Sequence, residues 1–394
     1  GIVAEYNPFH SGHEYQIQTI RESGCTHIVA VMSGNFTQRG EPACIRKEAR
    51  CRAALQCGVD LVLELPLPWS TASAETFASG AVTLLDALGC VDLLSFGSEC
   101  GDILALTVCA KAALAVTGQP EFKDLLKKGL SFPKARELAM RQLTDIDLSP
   151  LSSPNDTLAV EYIKAIIQTG SKMAPMAVRR AAVGHDSEIP GGRFASASLI
   201  RKLLQTGKNS EGLNYVPQPA REIYLRELES RHAPIDLRRA GSLVLSQLRR
   251  MSPADFSALP DVSEGLENRI FQSVSRAASL EELYSLIKTK RYTHSRIRRV
   301  ILSAFLGINR SHTSRPVPYI RVLGFSRAGT GLLRQIKTSA ALPIVMRHAD
   351  IAALDPFAQN IYRLECQATD QYSLCLPCPQ PCGMDQRLSA IRNF

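Results

Sequence analysis

From Ile2 to Gln205 short apolar runs alternate with longer amphipathic ones, and this alternation leaves the chain very few folds. "GIVAEY", "HIVAVMSG", "VDLVLELP", "VDLLSFGSE" and "MAPMAVRRA" read as short strands buried on both faces. Among them lie "GHEYQIQTIRESG", "EPACIRKEARCRAALQCG", "AETFASGAVTLLDALG" and "SPNDTLAVEYIKAIIQTG", which read as helices closed by glycine. Two further helices flank "SFPKARELAM", and "ASASLIRKLLQTG" reads as a last helix with serines at its start. Strands alternating with helices imply parallel pairing with helices on both faces. The expectation is an α/β fold, a doubly wound parallel-sheet (Rossmann-like) domain over residues 1–205. Residues 206–394 lose the alternation. "AREIYLRELES", "RRAGSLVLSQLRRM" and "SRIRRVILSAFLGI" predict a mainly helical second domain, and "PYIRVLGF", "GTGLLRQIKT" and "LPIVMR" predict a small α/β element within it.

Charge is unevenly spread. The formal net charge is +9, yet between Glu282 and Asp350 there is no acidic residue at all. That stretch carries Lys288, Lys290, Arg291, Arg296, Arg298, Arg299, Arg310, Arg315, Arg321, Arg327, Arg334, Lys337 and Arg347. So one-sided a segment repels itself unless a polyanion lies against it. RNA or DNA fits, because each phosphate neutralised releases counterions. The alternative is a solvated basic surface.

No uninterrupted apolar stretch is long enough for a membrane span, and no basic-apolar leader opens the sequence, so the expectation is a cytoplasmic protein. Most of the 11 cysteines are scattered and read as buried free thiols. Cys366, Cys375, Cys378 and Cys382 have a spacing that could hold a metal, but the segment is proline-rich and lacks a nearby histidine. Free thiols are the expected state there too.

In a doubly wound sheet, ligands bind beyond the carboxyl ends of the strands. His10-Ser11-Gly12-His13 falls there, after the first strand and at the start of its helix. A helix N-terminus favours negative charge, and two imidazoles beside it could donate hydrogen bonds to phosphate oxygens. They would stabilise the charge that builds as an α-phosphate is attacked. Zinc is the competing reading of His-x-x-His, but no acidic partner and no third ligand stand nearby in sequence.

The H-x-G-H pattern after a first strand resembles the signature of the HIGH nucleotidyltransferase superfamily. The late "FASASLIRK", with Ser196, Ser198 and Arg201, is similar to its second signature, although Ala197 departs from it. "GIVAEYNPFHSGH", "VMSGNFTQRGEPA", "FGSECGD", "SPNDTLAVEYIKA", "KRYTHSRIRRVIL" and "YIRVLGFSRAG" resemble one branch, the tRNA(Met) cytidine acetate ligase family. The likeness runs from residue 1 to about 374 and fades over the last twenty.

The resemblance implies an ATP-dependent, tRNA-modifying ligase. Acetate and ATP would give acetyl-adenylate and pyrophosphate, and the acetyl group would pass to the N4 amine of the wobble cytidine of elongator tRNA(Met). It implies His10 and His13 as catalytic groups and Mg2+ on the triphosphate. ATP would be held by Val3, Ala4, Glu5, Tyr6, Asn7, Pro8, Phe9, His10, Ser11, Gly12, His13, Glu14, Tyr15 and Gln16. It would also be held by Gly97, Asn155, Arg179 or Arg180, Ser196, Ser198 and Arg201. Gly34, Asn35, Gln38 and Arg39 would form the acetate or acceptor pocket. Lys288, Lys290, Arg291, Arg296, Arg298 and Arg299 would meet the tRNA. "VRRAAVGHD" is shorter and less glycine-rich than the family's equivalent, which leaves Arg179 and Arg180 as alternatives, with Arg180 preferred. Two other readings remain open on the residues alone: a small-molecule adenylyltransferase of the same superfamily, and a non-catalytic RNA-binding protein.

Overall fold

The computed structural model describes residues 1–130, 132–143, 145–180, 192, 194–263 and 265–394. Its strands are β1 (Ile2–Ala4), β2 (Val29–Ser33), β3 (Phe36–Thr37), β4 (Glu41–Pro42), β5 (Leu61–Leu65) and β6 (Leu93–Ser98). They continue with β7 (Ala174–Arg179), β8 (Ile320–Ser326), β9 (Ile344–Val345) and β10 (Ile391–Asn393). The main sheet runs β10-β8-β5-β2-β1-β6-β7, with β9 joined to β8, and β3 and β4 form a separate hairpin. β1 sits between β2 and β6 and is parallel to both. The chain leaves β1 first towards β2 and β5, then returns to β6 and β7 on the other side. That reversal opens a crevice at the carboxyl end of β1.

The helices that position this crevice are α1 (Ser11–Glu22), α2 (Lys47–Gln56), α3 (Ala74–Asp86), α4 (Pro154–Thr169), α5 (Ala197–Gln205) and α6 (His294–Leu306). Later come α7 (Pro356–Ser373) and the short α8 (Met384–Arg387). Ile17 and Ile20 of α1 and Ala53 and Leu55 of α2 cover one face of the sheet. Phe77 and Leu84 of α3 and Tyr162 and Ile163 of α4 cover the other. Apolar residues on both faces of the central strands explain why those strands read as continuous hydrophobic runs.

Two features depart from the sequence expectation. "PYIRVLGF" does not belong to a separate element, because β8 pairs antiparallel with β5 in the main sheet and β10 adds parallel to β8. The apolar cluster under α1 and α2 also runs without a break into the helical half, through Ile297 and Phe305 of α6. Sheet and core therefore cross the expected boundary at residue 205. The physical reason is the outer edge of β5, whose unpaired N–H and C=O groups need a partner strand. Local sequence cannot say which later strand supplies it.

The second departure is electrostatic. The acid-free segment finds its acids elsewhere in the chain. Arg298 pairs with Glu41, Arg299 with Asp261 at 2.8 Å, and Arg315 with Asp355 at 3.1 Å. Arg296 donates to the Asp261 carbonyl and to Ser263 Oγ, both at 2.8 Å, and Arg310 to the Leu259 and Val262 carbonyls. Lys288 donates to the Thr289 and Tyr292 carbonyls. Self-repulsion is thus relieved inside the fold, without a polyanion, for much of the segment.

Arg321 goes furthest. It is buried with Lys47, Glu64, Glu365 and Asp385 where α2, β5, β8, α7 and α8 meet. Lys47 Nζ lies 2.8 Å from Glu64 and 2.7 Å from Asp385, and Arg321 lies 2.6 Å from Asp385, 3.2 Å from Glu64 and 3.4 Å from Glu365. Burial opposes the charge of Asp385, yet Arg321 and Lys47 hold its carboxyl well below the usual range. Burial and the nearby Glu64 push Glu365 up to about 7.

No single helix among the described residues is long and apolar enough to cross a membrane. One bent pair, Ile103–Val116 with Pro120–Lys127, meets the length and composition together, but the first of these buries Leu106, Cys109 and Ala113 in the core.

Candidate active site

A cleft of about 570 Å³ opens at the carboxyl end of β1, within the usual range for small-molecule sites. The loop "YNPFH" that carries the chain from β1 to α1 is fixed from four directions. Asn7 Oδ1 accepts the Cys44 N–H at 2.8 Å, and the Asn7 carbonyl accepts Arg201 Nη1 at 2.8 Å. The Phe9 N–H donates to the Tyr224 hydroxyl at 3.0 Å, and the Ser11 N–H and hydroxyl both donate to the Tyr215 carbonyl. Pro8, Phe9, Ser11 and Glu14 are not in the cleft wall, whereas Val3, Ala4, Glu5, Tyr6, Asn7, His10, Gly12, His13, Tyr15 and Gln16 are.

The two histidines form a unit. His10 caps α1, its Nδ1 accepting the Gly12 N–H at 3.0 Å, while His13 Nδ1 accepts the His10 N–H at 3.2 Å. The rings stack with centroids 3.8 Å apart. With both Nδ1 atoms accepting from the backbone, each neutral ring must carry its proton on Nε2. Burial, helped by His10 and Arg180, holds His13 well below the usual histidine range. His13 is therefore a neutral donor, and together the two rings offer a pair of Nε2–H groups at a helix N-terminus, suited to an anion. Gly12 is required for a reason the sequence did not reveal: a Cβ there would meet His10 Cε1 at 2.9 Å and Nδ1 at 3.0 Å.

The late motif reaches the same place. Ser196 caps α5 by accepting the Leu199 N–H at 3.1 Å and shares a 3.0 Å hydrogen bond with Ser198. Ser198 and Arg201 line the cleft and Ser196 does not, so Ser196 sets the helix start and steadies Ser198. Arg201 ties the two motifs together through Asn7.

On the β6–β7 side, Gly97, Asn155, Arg179 and Arg180 all line the cleft. Asn155 is the second residue of α4 and donates its amide to Glu99. In that first turn the Asp156 N–H donates to Glu99 Oε2 at 3.2 Å, and the Asp156 carboxylate accepts the Glu99 and Cys100 N–H groups at 2.9 and 3.0 Å, which pins the loop after β6 to the helix start. Arg180 lies beside Gly97, its Nε 3.9 Å from Glu99, and burial lowers its pKa against the pull of Glu99. Arg179 packs its stem on Gly101 and is exposed. In "VRRAAVGHD", residues 181–186 lie outside the described residues.

The expected acetate pocket divides. Gln38 and Arg39 line the cleft. Gly34 and Asn35 turn to the buried ion cluster instead: Asn35 accepts the Lys47 N–H at 3.1 Å and donates to Thr369 at 3.3 Å. A Cβ on Gly34 would sit 2.3 Å from Glu64 Oε1, which accounts for glycine there. Of the basic residues, Arg299 lines the cleft with Ser295 from α6, while Lys290 is exposed at the surface. Phe77, Phe96, Tyr162 and Phe194 also line it, and sequence reading missed them because apolar residues on α3, β6 and α4 look like ordinary core. Among the described residues no three His, Cys, Asp or Glu side chains could hold a metal, whether at the histidines or at the C-terminal cysteines, and all 11 cysteines are free.

A sequence model for the family described as HIGH Nucleotidyl Transferase matches residues 1–386. A protein of Thermoanaerobacter sp. (strain X514) named tRNA(Met) cytidine acetate ligase is 40% identical over 397 residues, 98% of this chain and 97% of its own. One of the same name from Acetivibrio thermocellus is 38% identical over 399 residues, 96% of this chain and 95% of its own. The crystal structure of Thermotoga maritima TmcAL (apo, form I) superposes with a TM-score of 0.93 at 35% identity, covering 100% of this chain and 99% of that one. The form bound with alpha-thio ATP gives 0.91 at 34%, with the same coverage.

Proposed function

The chain belongs to the HIGH nucleotidyl transferase family and, within it, to the tRNA(Met) cytidine acetate ligases, and on that premise we propose that it uses ATP to acetylate the wobble cytidine of elongator tRNA(Met) in the cytoplasm. The observation that carries the reading is the stacked His10–His13 pair, a double donor placed where a helix N-terminus meets a cleft of about 570 Å³. ATP lies across the carboxyl ends of β1 and β6. Gly97, Asn155 and Arg180 serve the nucleoside side, and Ser198 and Arg201 the β- and γ-phosphates.

Acetate is ionised at neutral pH, so its attack on the α-phosphate needs no base. The charge that builds on the α-phosphate oxygens is met by Nε2–H of both histidines. Pyrophosphate leaves towards Ser198 and Arg201, and acetyl-adenylate remains beside Gln38 and Arg39. Mg2+ would ride on the triphosphate oxygens and water, as it commonly does, since the described residues offer no carboxylate cage. Residues 1–205 supply the nucleotide chemistry, and Lys288, Lys290, Arg291 and the α6 arginines of residues 206–394 meet the tRNA backbone.

The test is ATP–pyrophosphate exchange across a panel of small acids, followed by acetyl transfer to elongator tRNA(Met). Exchange selective for acetate and transfer to that tRNA are expected. Preference for another acid, or no exchange with retained RNA binding, overturns the reading. Gly12→Ala gives a sharper check, because its Cβ must displace the His10 ring. Exchange is expected to fall about 10²-fold for a displacement near 1 Å, with a stability loss of about 1 kcal/mol from the weakened cap.

A further inference from the structure

The cleft is more than a phosphate clamp. Val3 packs on the sheet face that carries Phe77, Phe96 and Tyr162, and Glu5 is the first residue beyond the end of β1. Glu5, Phe77, Phe96 and Tyr162 all line the cleft, and the Phe96 and Tyr162 rings lie 5.8 Å apart and tilted by 30°. Glu5 Oε1 accepts the Gln38 N–H at 2.9 Å. Tyr162, Arg201, Arg39 and Arg50 all stand close enough to feel its charge. It therefore stands beside the reacting centre, since Arg201 also grips the loop that carries the histidines.

A carboxylate at this place is wrong for either anionic reactant, because it repels both acetate and triphosphate. It suits a neutral group that donates N–H. A carboxylate accepting from the exocyclic amine is the usual partner of cytosine, and aromatic walls receive a base taken out of its stack. Resting on the functional reading above, we propose that Glu5 and the wall of Phe77, Phe96 and Tyr162 receive the acceptor cytosine, and that the Glu5 carboxylate takes the proton leaving its amine. The N4 lone pair forms the bond to the acetyl carbonyl carbon. The bond from that carbon to the phosphate oxygen breaks, AMP departs with the electron pair, and the N4 proton passes to Glu5. Burial raises the Glu5 carboxyl above its usual range, against the pull of Arg201, Arg39, the Gln38 N–H and Arg50, which makes it a better proton acceptor.

Glu5→Gln keeps an acceptor oxygen but cannot take the proton. With the full chain, ATP, acetate and elongator tRNA(Met), the ratio of acetyl transfer to acetate-dependent exchange is expected to fall about 10²–10³-fold. In single-turnover transfer by the unaltered protein, the rate should fall as pH drops through the raised Glu5 pKa, and Glu5→Gln should lose that limb. Burial holds the Tyr162 hydroxyl well above its usual range, and protonation of His13 would slow exchange as well as transfer. An unchanged ratio, or equal loss of both steps, overturns the proposal. So does a raised KM for ATP at constant ratio, which would place adenine on the aromatic wall. Should Glu5→Gln fail to fold, Phe96→Leu tests the wall: KM for tRNA should rise several-fold more than KM for ATP, and equal rises overturn it. An unaltered protein without acetate-dependent exchange or tRNA acetylation would defeat the functional reading itself, a result separate from any behaviour of the variants.

Discussion

Replacing His13 with alanine is expected to lower acetate-dependent ATP–pyrophosphate exchange by about 10²–10³-fold, the usual cost of one donor to a developing oxyanion. The substitution removes the donor Nε2 and also the acceptor for the His10 N–H. The His10 ring, which stacks on His13 at 3.8 Å, loses its support as well. His10→Ala should therefore match the loss, and the double variant should fall little further, because the rings act as one unit. A loss below about 5-fold at saturating ATP would remove the histidines from the chemistry. The charge state adds a second check. His13 is held well below the usual histidine pKa, chiefly by burial, so it stays neutral through the range in which an ordinary histidine gains its proton. Exchange should show no histidine-dependent gain on acidification across that window. A rise in rate as pH falls through about 6.5 would mean that an imidazolium is the working form.

The second large effect is on stability. Arg321→Met is expected to destabilise the protein by about 3–5 kcal/mol, the range for breaking a buried ion pair from one side. Arg321 touches three carboxylates, Glu64, Glu365 and Asp385, and every group in the cluster is buried. Without it, Lys47 alone faces those three acids. Methionine fills much of the same volume, so the loss reports the charges rather than a cavity. Equilibrium denaturation of the pure protein gives the measurement. Arg315→Met is the control, since Arg315 and Asp355 pair at the surface and solvent screens them. Equal shifts in the two variants would mean that the buried cluster has no special role.

Much of this architecture is legible in the residues. Glycine-closed helices between apolar runs predict the parallel strands β1, β2, β5, β6 and β7, because local period and capping set both. "HSGH" and "ASASLIR" point to one cleft because the carboxyl end of β1 is where a doubly wound sheet binds ligands. What stays hidden is non-local. Nothing in "PYIRVLGF" says that it will pair with β5, about 260 residues earlier. Nothing in the acid-free segment says that Glu41, Asp261 and Asp385 will come to it. Gly34 and Asn35 share a motif with Gln38 and Arg39, yet face the other way, because the turn between β2 and β3 lays its first residues against the ion cluster. Glu5 was visible only as one letter of a longer motif, and its aromatic neighbours looked like core.

The place of β8 also bears on how the chain is made. A growing polypeptide completes β1, β2, β5, β6 and β7 long before residue 320 leaves the ribosome, and until then β5 is an open edge. Ser295 and Arg299, which close one side of the cleft, are likewise late arrivals. Residues 1–205 by themselves would leave that edge of β5 without its partner strand and the cleft without Ser295 and Arg299.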